Sequence, residues 1–134
     1  MTVQLIRAAD LYGGVPYAYA SVAAVPSDEL VFTAGACPLD ENGQVVGHDI
    51  QAQARQTVGN LAAALGAAGA GLADVLKTTI YVASADRADL VAAWDVIRAA
   101  FGGHDAPSTL LGVTVLGYPG QLVEIEAVAA ANRR

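Results

Sequence analysis

Two carboxylates lie two residues apart, Glu124 and Glu126, in the middle of an otherwise apolar segment near the C-terminus. Residues 121–131 alternate with a period of two, which predicts a β-strand with both glutamates on one face. A carboxylate on a partly buried face can act as a general base or position a water molecule. The simpler interpretation, that the pair faces solvent or binds an arginine of a neighbouring chain, remains open.

Three other side chains with possible chemistry are better explained by packing. Cys37 follows Gly35 and Ala36 in a predicted loop, but no histidine stands beside it to lower its pKa, which favours a small buried thiol over a nucleophile. Tyr17 lies on a predicted strand, where aromatic packing is sufficient to explain it. Trp94 falls at helical spacing among apolar residues, which is typical of a core or interface side chain.

Polar residues near position 107 are candidates for lining a pocket. His104 and Asp105 precede it, and Ser108 and Thr109 follow it with hydroxyl groups that can bind a ligand oxygen. Lys77 is the only lysine, at the start of a predicted strand. We interpret it as a structural residue whose ammonium group reaches solvent, rather than as a Schiff-base amine.

The composition limits the classes of partner. The chain has 134 residues, enough for a single domain, with 54% hydrophobic and 15% charged residues. So few charges predict a homo-oligomer that hides neutral faces between subunits. The net charge of −6 and the scattered arginines argue against nucleic-acid binding, which requires clustered cations.

The sequence predicts no metal site and no cofactor, because the single cysteine and two distant histidines form no ligand-spaced cluster. The N-terminus lacks the pattern of a signal peptide. Two uncharged windows, 56–73 and 106–123, are interrupted by glycine, proline or polar residues and are interpreted as core, not as membrane spans. We therefore expect a cytoplasmic protein with no membrane partner.

The elements that must position these residues form an α+β domain covering 1–134. Asp49 predicts the N-cap of a first helix that ends at Gly69, and Ser84 or Asp86 predicts the start of a second that ends at Gly102. Single strands between helices predict a mixed sheet with both helices on one face. The last two strands are predicted as a hairpin around 117–120. The predicted strands are 3–8, 17–22, 30–34, 74–83, 109–116 and 121–131, with turns at 26–28 and 40–43.

Several of these segments together resemble the RidA/YjgF family. The resemblance runs from about Tyr17 to Ala131, nearly the whole chain, and no single motif carries it alone. The matching segments are GACPLD at 35–40, QARQ at 53–56 with Asn60-Leu61, AAG at 67–69, DVLKTTIYV at 74–82 and VEIEAVA at 123–129.

The resemblance implies a chorismate-mutase-like fold assembled as a homotrimer. The three sheets would form a central barrel with the helices outside and a pocket at each subunit interface. Typical members hydrolyse small reactive enamines and imines, such as 2-aminoacrylate, to keto acids and ammonia. An arginine binds the substrate carboxylate there, a glutamate on the last strand handles the attacking water, and a tyrosine near the N-terminus helps to close the site.

Residue by residue, Tyr17 matches that tyrosine and Glu124 matches that glutamate. The arginine has no counterpart, because Pro107 stands in its place and has no donor. Trp94 stands where an asparagine is common. These differences predict a hydrolase with altered specificity, in which Glu124 positions water.

The remaining substrate contacts would come from Tyr17, Ser108, Thr109, Trp94 and the backbone of Gly35, Ala36 and Cys37. The alternative is a trimeric module that binds a small ligand without turnover. Endoribonuclease activity, a label sometimes attached to the family, is disfavoured by the net negative charge of the chain.

Overall fold

The architecture comes from a computed structural model that describes residues 3–25 and 29–131. Within these two ranges, six strands and two α-helices follow one another, with one turn of 3₁₀-helix at Leu72–Asp74. The turn predicted at 26–28 lies outside the described residues. The elements are β1 (Gln4–Ile6), β2 (Ala20–Val22), β3 (Glu29–Phe32), α1 (Ile50–Ala67), β4 (Val75–Val82), α2 (Arg87–Phe101), β5 (Ser108–Gly112) and β6 (Val123–Ala131).

The main sheet has four strands in the order β3-β6-β4-β5. The pairs β3–β6 and β4–β6 are antiparallel, whereas β4 and β5 are parallel, so the sheet is mixed as predicted. The predicted hairpin of the last two strands is wrong, because β4 lies between β5 and β6. The segment 113–122 is therefore a connection across β4 and not a tight turn.

The N-terminal strands differ from the sequence prediction. The strand predicted over 17–22 is shorter, since only Ala20–Val22 is extended. It pairs with β1 in a separate antiparallel two-stranded sheet, so the fold contains a small second sheet beside the predicted one. Tyr17 precedes this strand and is not part of the strand pairing.

Both helices begin where the sequence indicates. Asp49 is the N-cap of α1 and its carboxylate accepts a hydrogen bond from the backbone N–H of Ala52 at 2.7 Å. Asp86 is the N-cap of α2, accepting from the N–H of Ala88 at 2.9 Å. Gly69 and Gly102 follow the two helices with positive φ, a conformation that glycine adopts without steric cost.

The core lies between the two helices and one face of the sheet. Alternate residues of β6 are buried, as the period of two predicts. They pack against the apolar stripe of α1 and against α2, and the fully buried large side chains include Leu61, Leu65, Ile80, Ile97 and Ile125. Among the described residues, no helix is both long and apolar enough to span a bilayer.

The opposite face of the sheet carries Glu124 and Glu126. Cross-strand partners share a face, so the register places Tyr81 beside Glu124 and Thr79 beside Glu126 on this surface. Leu111 and Phe32 extend it on the outer strands, and Phe32 is 72% exposed. We call this surface the open face, because in the single chain neither helix covers it.

Candidate active site

Glu124 is half-buried on the open face and two side chains contact one of its oxygens. The thiol of Cys37 donates to Oε1 across 3.2 Å, and the amide Nε2 of Gln121 donates to the same atom across 3.1 Å. One donor is distant from Glu124 in the sequence and the other lies three residues before it. Together they fix the orientation of the carboxylate.

Gly35 lies against the other oxygen of Glu124. The backbone after β3 follows β6, with the N–H of Ala36 bound to the carbonyl of Ile125 at 2.7 Å and a reciprocal bond of 3.1 Å. This pairing brings Gly35 so close that a Cβ there would lie 2.2 Å from Oε2 of Glu124. Only glycine leaves room for the observed carboxylate.

The loop that carries Cys37 is anchored to α1. The amide of Asn60 donates to the carbonyls of Cys37 and Leu39, both at 2.8 Å. Gln56 in turn donates to Oδ1 of Asn60 at 3.0 Å. The polar side chains of α1 therefore hold the 35–39 segment in place beside Glu124.

Cys37 is a neutral donor in this arrangement. Burial, followed by the hydrogen bond and negative charge of Glu124, raises the pKa of the thiol from 9.0 to about 11. A thiol with so high a pKa is protonated at neutral pH and is a poor nucleophile. That Cys37 is a packing residue and not a nucleophile stays a prediction.

Sequence reasoning missed Gln121. The residue is only 4% exposed, and its Nε2 also donates to the carbonyl of Val123 at 3.1 Å. Its Oε1 accepts from the backbone N–H of Tyr118 at 3.2 Å. In the sequence, Gln121 is a neutral polar residue at the edge of an apolar run. This position alone does not predict a contact with Glu124.

Glu126 has a partner of its own. The hydroxyl of Tyr81 donates to Oε1 of Glu126, and this hydrogen bond is the largest cause of the raised pKa of Tyr81. The two glutamates share the open face as predicted but have different neighbours. Glu126 is tied to a tyrosine, whereas Glu124 borders the loop at 35–37.

The remaining predicted site residues form a second group next to β5. The ring of Tyr17 packs edge-on against Trp94, with centroids 6.5 Å apart, and against Tyr19 at 5.8 Å. Tyr17 and Trp94 line a groove together with Pro16, Ser108 and Leu110. Glu124 is not among the lining residues, so the chain presents its candidate residues in two separate groups.

Pro107 is buried directly before β5, and its carbonyl accepts from the N–H of Thr78 at 3.0 Å. Ser108 and Thr78 share a hydrogen bond through their hydroxyls. Lys77 donates to Oγ1 of Thr109 at 2.6 Å. Its ammonium group is therefore hydrogen-bonded within the sheet, beside the position at which the resemblance places an arginine.

His104 and Asp105 have structural contacts. His104 Nε2 lies 2.7 Å from the carbonyl oxygen of Val75. Asp105 binds Arg7, with 2.8 Å between Nη2 and Oδ2, and its other oxygen lies 3.7 Å from Nε of Arg98. Within residues 3–25 and 29–131, no cluster of three histidine, cysteine or acidic side chains is suited to hold a metal ion.

Comparisons with known proteins identify the family. The sequence profile described as endoribonuclease L-PSP matches residues 15–131. The chain belongs to this family, the RidA/YjgF proteins. A RutC family protein of Pyrococcus horikoshii is 37% identical over 108 residues, 79% of this chain and 82% of the relative. A 2-iminobutanoate/2-iminopropanoate deaminase of Salmonella typhimurium is 34% identical over 113 residues, 84% of this chain and 87% of the relative.

The structure of this RidA/YjgF protein is also similar to solved structures. YyfB, a protein of the conserved Rid family from Yersinia pestis, superposes with a TM-score of 0.86 at 34% identity. The match covers 96% of this chain and 98% of YyfB. The α+β fold expected from the resemblance, with two helices on one face of a mixed sheet, is confirmed.

Proposed function

We propose that this protein hydrolyses a small imine or enamine, or a related carbonyl metabolite, with a specificity different from that of 2-imino-acid deaminases. The observation that carries the proposal is the oriented carboxylate of Glu124, with one oxygen bound by Cys37 and Gln121 and the other facing Gly35. Relatives named 2-iminobutanoate/2-iminopropanoate deaminase support the class of reaction.

The reaction requires only water and proton transfers. Glu124 accepts a proton from a water molecule as the water oxygen bonds to the carbon of a protonated C=N group, and the π electrons of that group become a lone pair on nitrogen. In the resulting carbinolamine, Glu124 returns the proton to nitrogen and the C–N bond breaks with its electrons leaving on ammonia. The hydroxyl group becomes the carbonyl as its proton passes to Glu124 and on to solvent, so that one protonated imine and one water give one ketone, one ammonia and one proton.

We propose that a homotrimer completes the site. In one subunit, Glu124 and the 35–37 loop form one group, and Tyr17, Trp94 and Ser108 form another. The open face also exposes the apolar side chain of Phe32, as expected of a surface that a second copy covers. Joining the two groups across an interface would place Tyr17 against a substrate held near Glu124.

The proposal of an altered specificity is based on the charged groups around β5. Pro107 has no group that can bind a carboxylate, and Arg7 and Arg98 both face Asp105. Substrate contacts would come from Thr109, Ser108, Trp94 and the backbone of 35–37. A small substrate that does not depend on bidentate binding of a carboxylate fits this arrangement best.

The alternative is a non-catalytic module that binds a small ligand. The same Pro107 favours it, since losing the substrate cation can remove turnover while the fold and pocket persist. A ligand that binds without being consumed would favour this function over hydrolysis.

The test compares ammonia release by wild type, Glu124→Gln and Glu126→Gln. Two substrates are generated in situ: 2-iminobutanoate from an amino acid oxidase, and an imine of a small ketone without a carboxylate. We expect wild type to favour the second and Glu124→Gln to lower kcat/KM by roughly 10²–10⁴-fold, the usual contribution of a general base. Glu126→Gln is the matched control and should remain active. Equal turnover by wild type and Glu124→Gln would contradict the mechanism.

A further inference from the structure

We infer that Gln121 and Cys37 are positioning residues that fix one oxygen of Glu124, so that the other oxygen is held toward the backbone at Gly35, where substrate binds. This inference rests on the proposed function and names the side chains that make Glu124 an effective base. Neither side chain touches the substrate in this scheme; both side chains act through Glu124.

The geometry of the two donors supports the inference. Both contact Oε1, at 3.2 Å from Sγ of Cys37 and at 3.1 Å from Nε2 of Gln121, while Oε2 lies beside Gly35. A carboxylate held by one hydrogen bond can still rotate about its last torsion angle. Two donors on one oxygen remove this freedom and keep Oε2 directed at one place.

Gln121 also couples the carboxylate to the loop at 117–120. Its Oε1 binds the N–H of Tyr118, and its Nε2 binds both Val123 and Glu124. Gln53 of α1 holds the same loop from the other side, donating to the carbonyl of Gly120 at 2.9 Å and accepting from the N–H of Leu122 at 2.6 Å. Gln53 makes none of its described hydrogen bonds to Glu124, which makes it a suitable control.

The first experiment compares Gln121→Met with Gln53→Met under the assay above. Both variants keep side-chain size and lose loop contacts, but only Gln121→Met removes a donor from Glu124. We expect Gln121→Met to lower kcat by about 10–100-fold with KM changed by less than about twofold, since misplacing a reacting group costs rate and not binding. Gln53→Met should lower the thermal midpoint with kcat nearly retained. Equal loss of kcat in both, or a change confined to KM, would overturn the inference for Gln121.

The second experiment uses Cys37, where a conservative pair is available. Cys37→Ser keeps a hydroxyl donor and Cys37→Ala removes the donor at little change in volume. We expect Cys37→Ala to lose about tenfold in kcat, as expected when a catalytic group is partly misplaced, and Cys37→Ser to recover most of it. Equal activities of the two variants would mean that the thiol only fills space.

A third measurement does not depend on turnover. The pH dependence of Cys37 alkylation by iodoacetamide reports the pKa of the only thiol, which is raised to about 11 in part by Glu124. Glu124→Gln should shift this profile toward the usual value of 9.0, whereas Glu126→Gln should not. An unchanged profile in Glu124→Gln overturns the inference. If wild type hydrolyses neither imine but the shift occurs, the proposed function fails while the contact between Cys37 and Glu124 stands.

Discussion

The ammonium group of Lys77 lies 2.6 Å from the hydroxyl of Thr109, two residues beyond Pro107. β4 and β5 pair in parallel with Thr78 opposite Ser108, and the carbonyl of Pro107, directly before β5, accepts from the N–H of Thr78, so Lys77 and Pro107 continue this register side by side. Neighbouring residues of a parallel pair point to the same face of a sheet. Any cation introduced at position 107 would therefore meet the only lysine of the chain.

Pro107→Arg should consequently be less stable than Pro107→Gln, its uncharged control. Like charges on adjacent strands cost about 0.2–1 kcal/mol, and salt screens them. We expect the difference in unfolding free energy, measured by urea titration, to shrink at high salt and to disappear in Pro107→Arg/Lys77→Met. A difference that persists in the double variant would locate the cost in packing and not in charge.

The activity of Pro107→Arg tests the altered specificity. If the missing cation alone keeps wild type from accepting 2-imino acids, Pro107→Arg/Lys77→Met should gain activity on 2-iminobutanoate and lose none on an imine without a carboxylate. The comparison is of kcat/KM for the two substrates. Failure of a folded double variant to gain activity would show that position 107 does not set specificity.

Gly35→Ala tests the space beside Glu124. The new Cβ would lie 2.2 Å from Oε2, so the carboxylate must move, and we expect kcat/KM to fall by roughly 10²-fold. Gly59→Ala is the matched control on α1, where the added Cβ meets no atom within 4 Å. That variant should keep its activity and gain about 0.5–1 kcal/mol of stability, because alanine favours a helix over glycine. Full activity of Gly35→Ala would remove Gly35 from the site.

Features of the fold that depend on local sequence were predictable. The N-caps at Asp49 and Asp86 and the period-two pattern of side chains around Glu124 depend only on residues that are close in the sequence. The structure matches these predictions. The order of the strands in the sheet could not be predicted from local sequence. The apolar runs on each side of Gly117–Gly120 resemble a hairpin. In the structure β4 pairs with both β5 and β6, and the sequence of 109–131 does not indicate that β4 lies between them.

The candidate site was predictable only where a family pattern or a charge marked it. Glu124 and Cys37 were selected as separate residues, and the structure brings them together through the pairing of Ala36 with Ile125. Gln121 carries no charge and belongs to no spaced motif, so its contact with Glu124 emerges only from the loop conformation. Likewise, the separation of Tyr17 from Glu124 depends on strand order.

Phe32→Glu tests the proposed assembly. Phe32 is 72% exposed on the open face, and a buried, unpaired carboxylate at an interface is costly. We expect this variant to become monomeric by light scattering and to lose activity if the site needs two subunits. Val91→Glu is the control on α2, where the side chain is 54% exposed on the other side of the sheet. A monomeric wild type would contradict the proposed assembly directly.

The stability of the protein should fall in alkaline solution for a reason specific to the open face. Glu124 contributes to a pKa of about 11 for Cys37, and Glu126 raises the pKa of Tyr81. In the unfolded chain both groups ionise at lower pH, so the unfolded state binds fewer protons and the free energy of unfolding decreases as pH rises from about 9 through 11. In urea titrations at successive pH values, Cys37→Ala should reduce the decrease in unfolding free energy at the lower end of this pH range. Tyr81→Phe should reduce it at the upper end. If the wild-type profile remains flat across this range, neither contact favours the protonated forms in the folded protein.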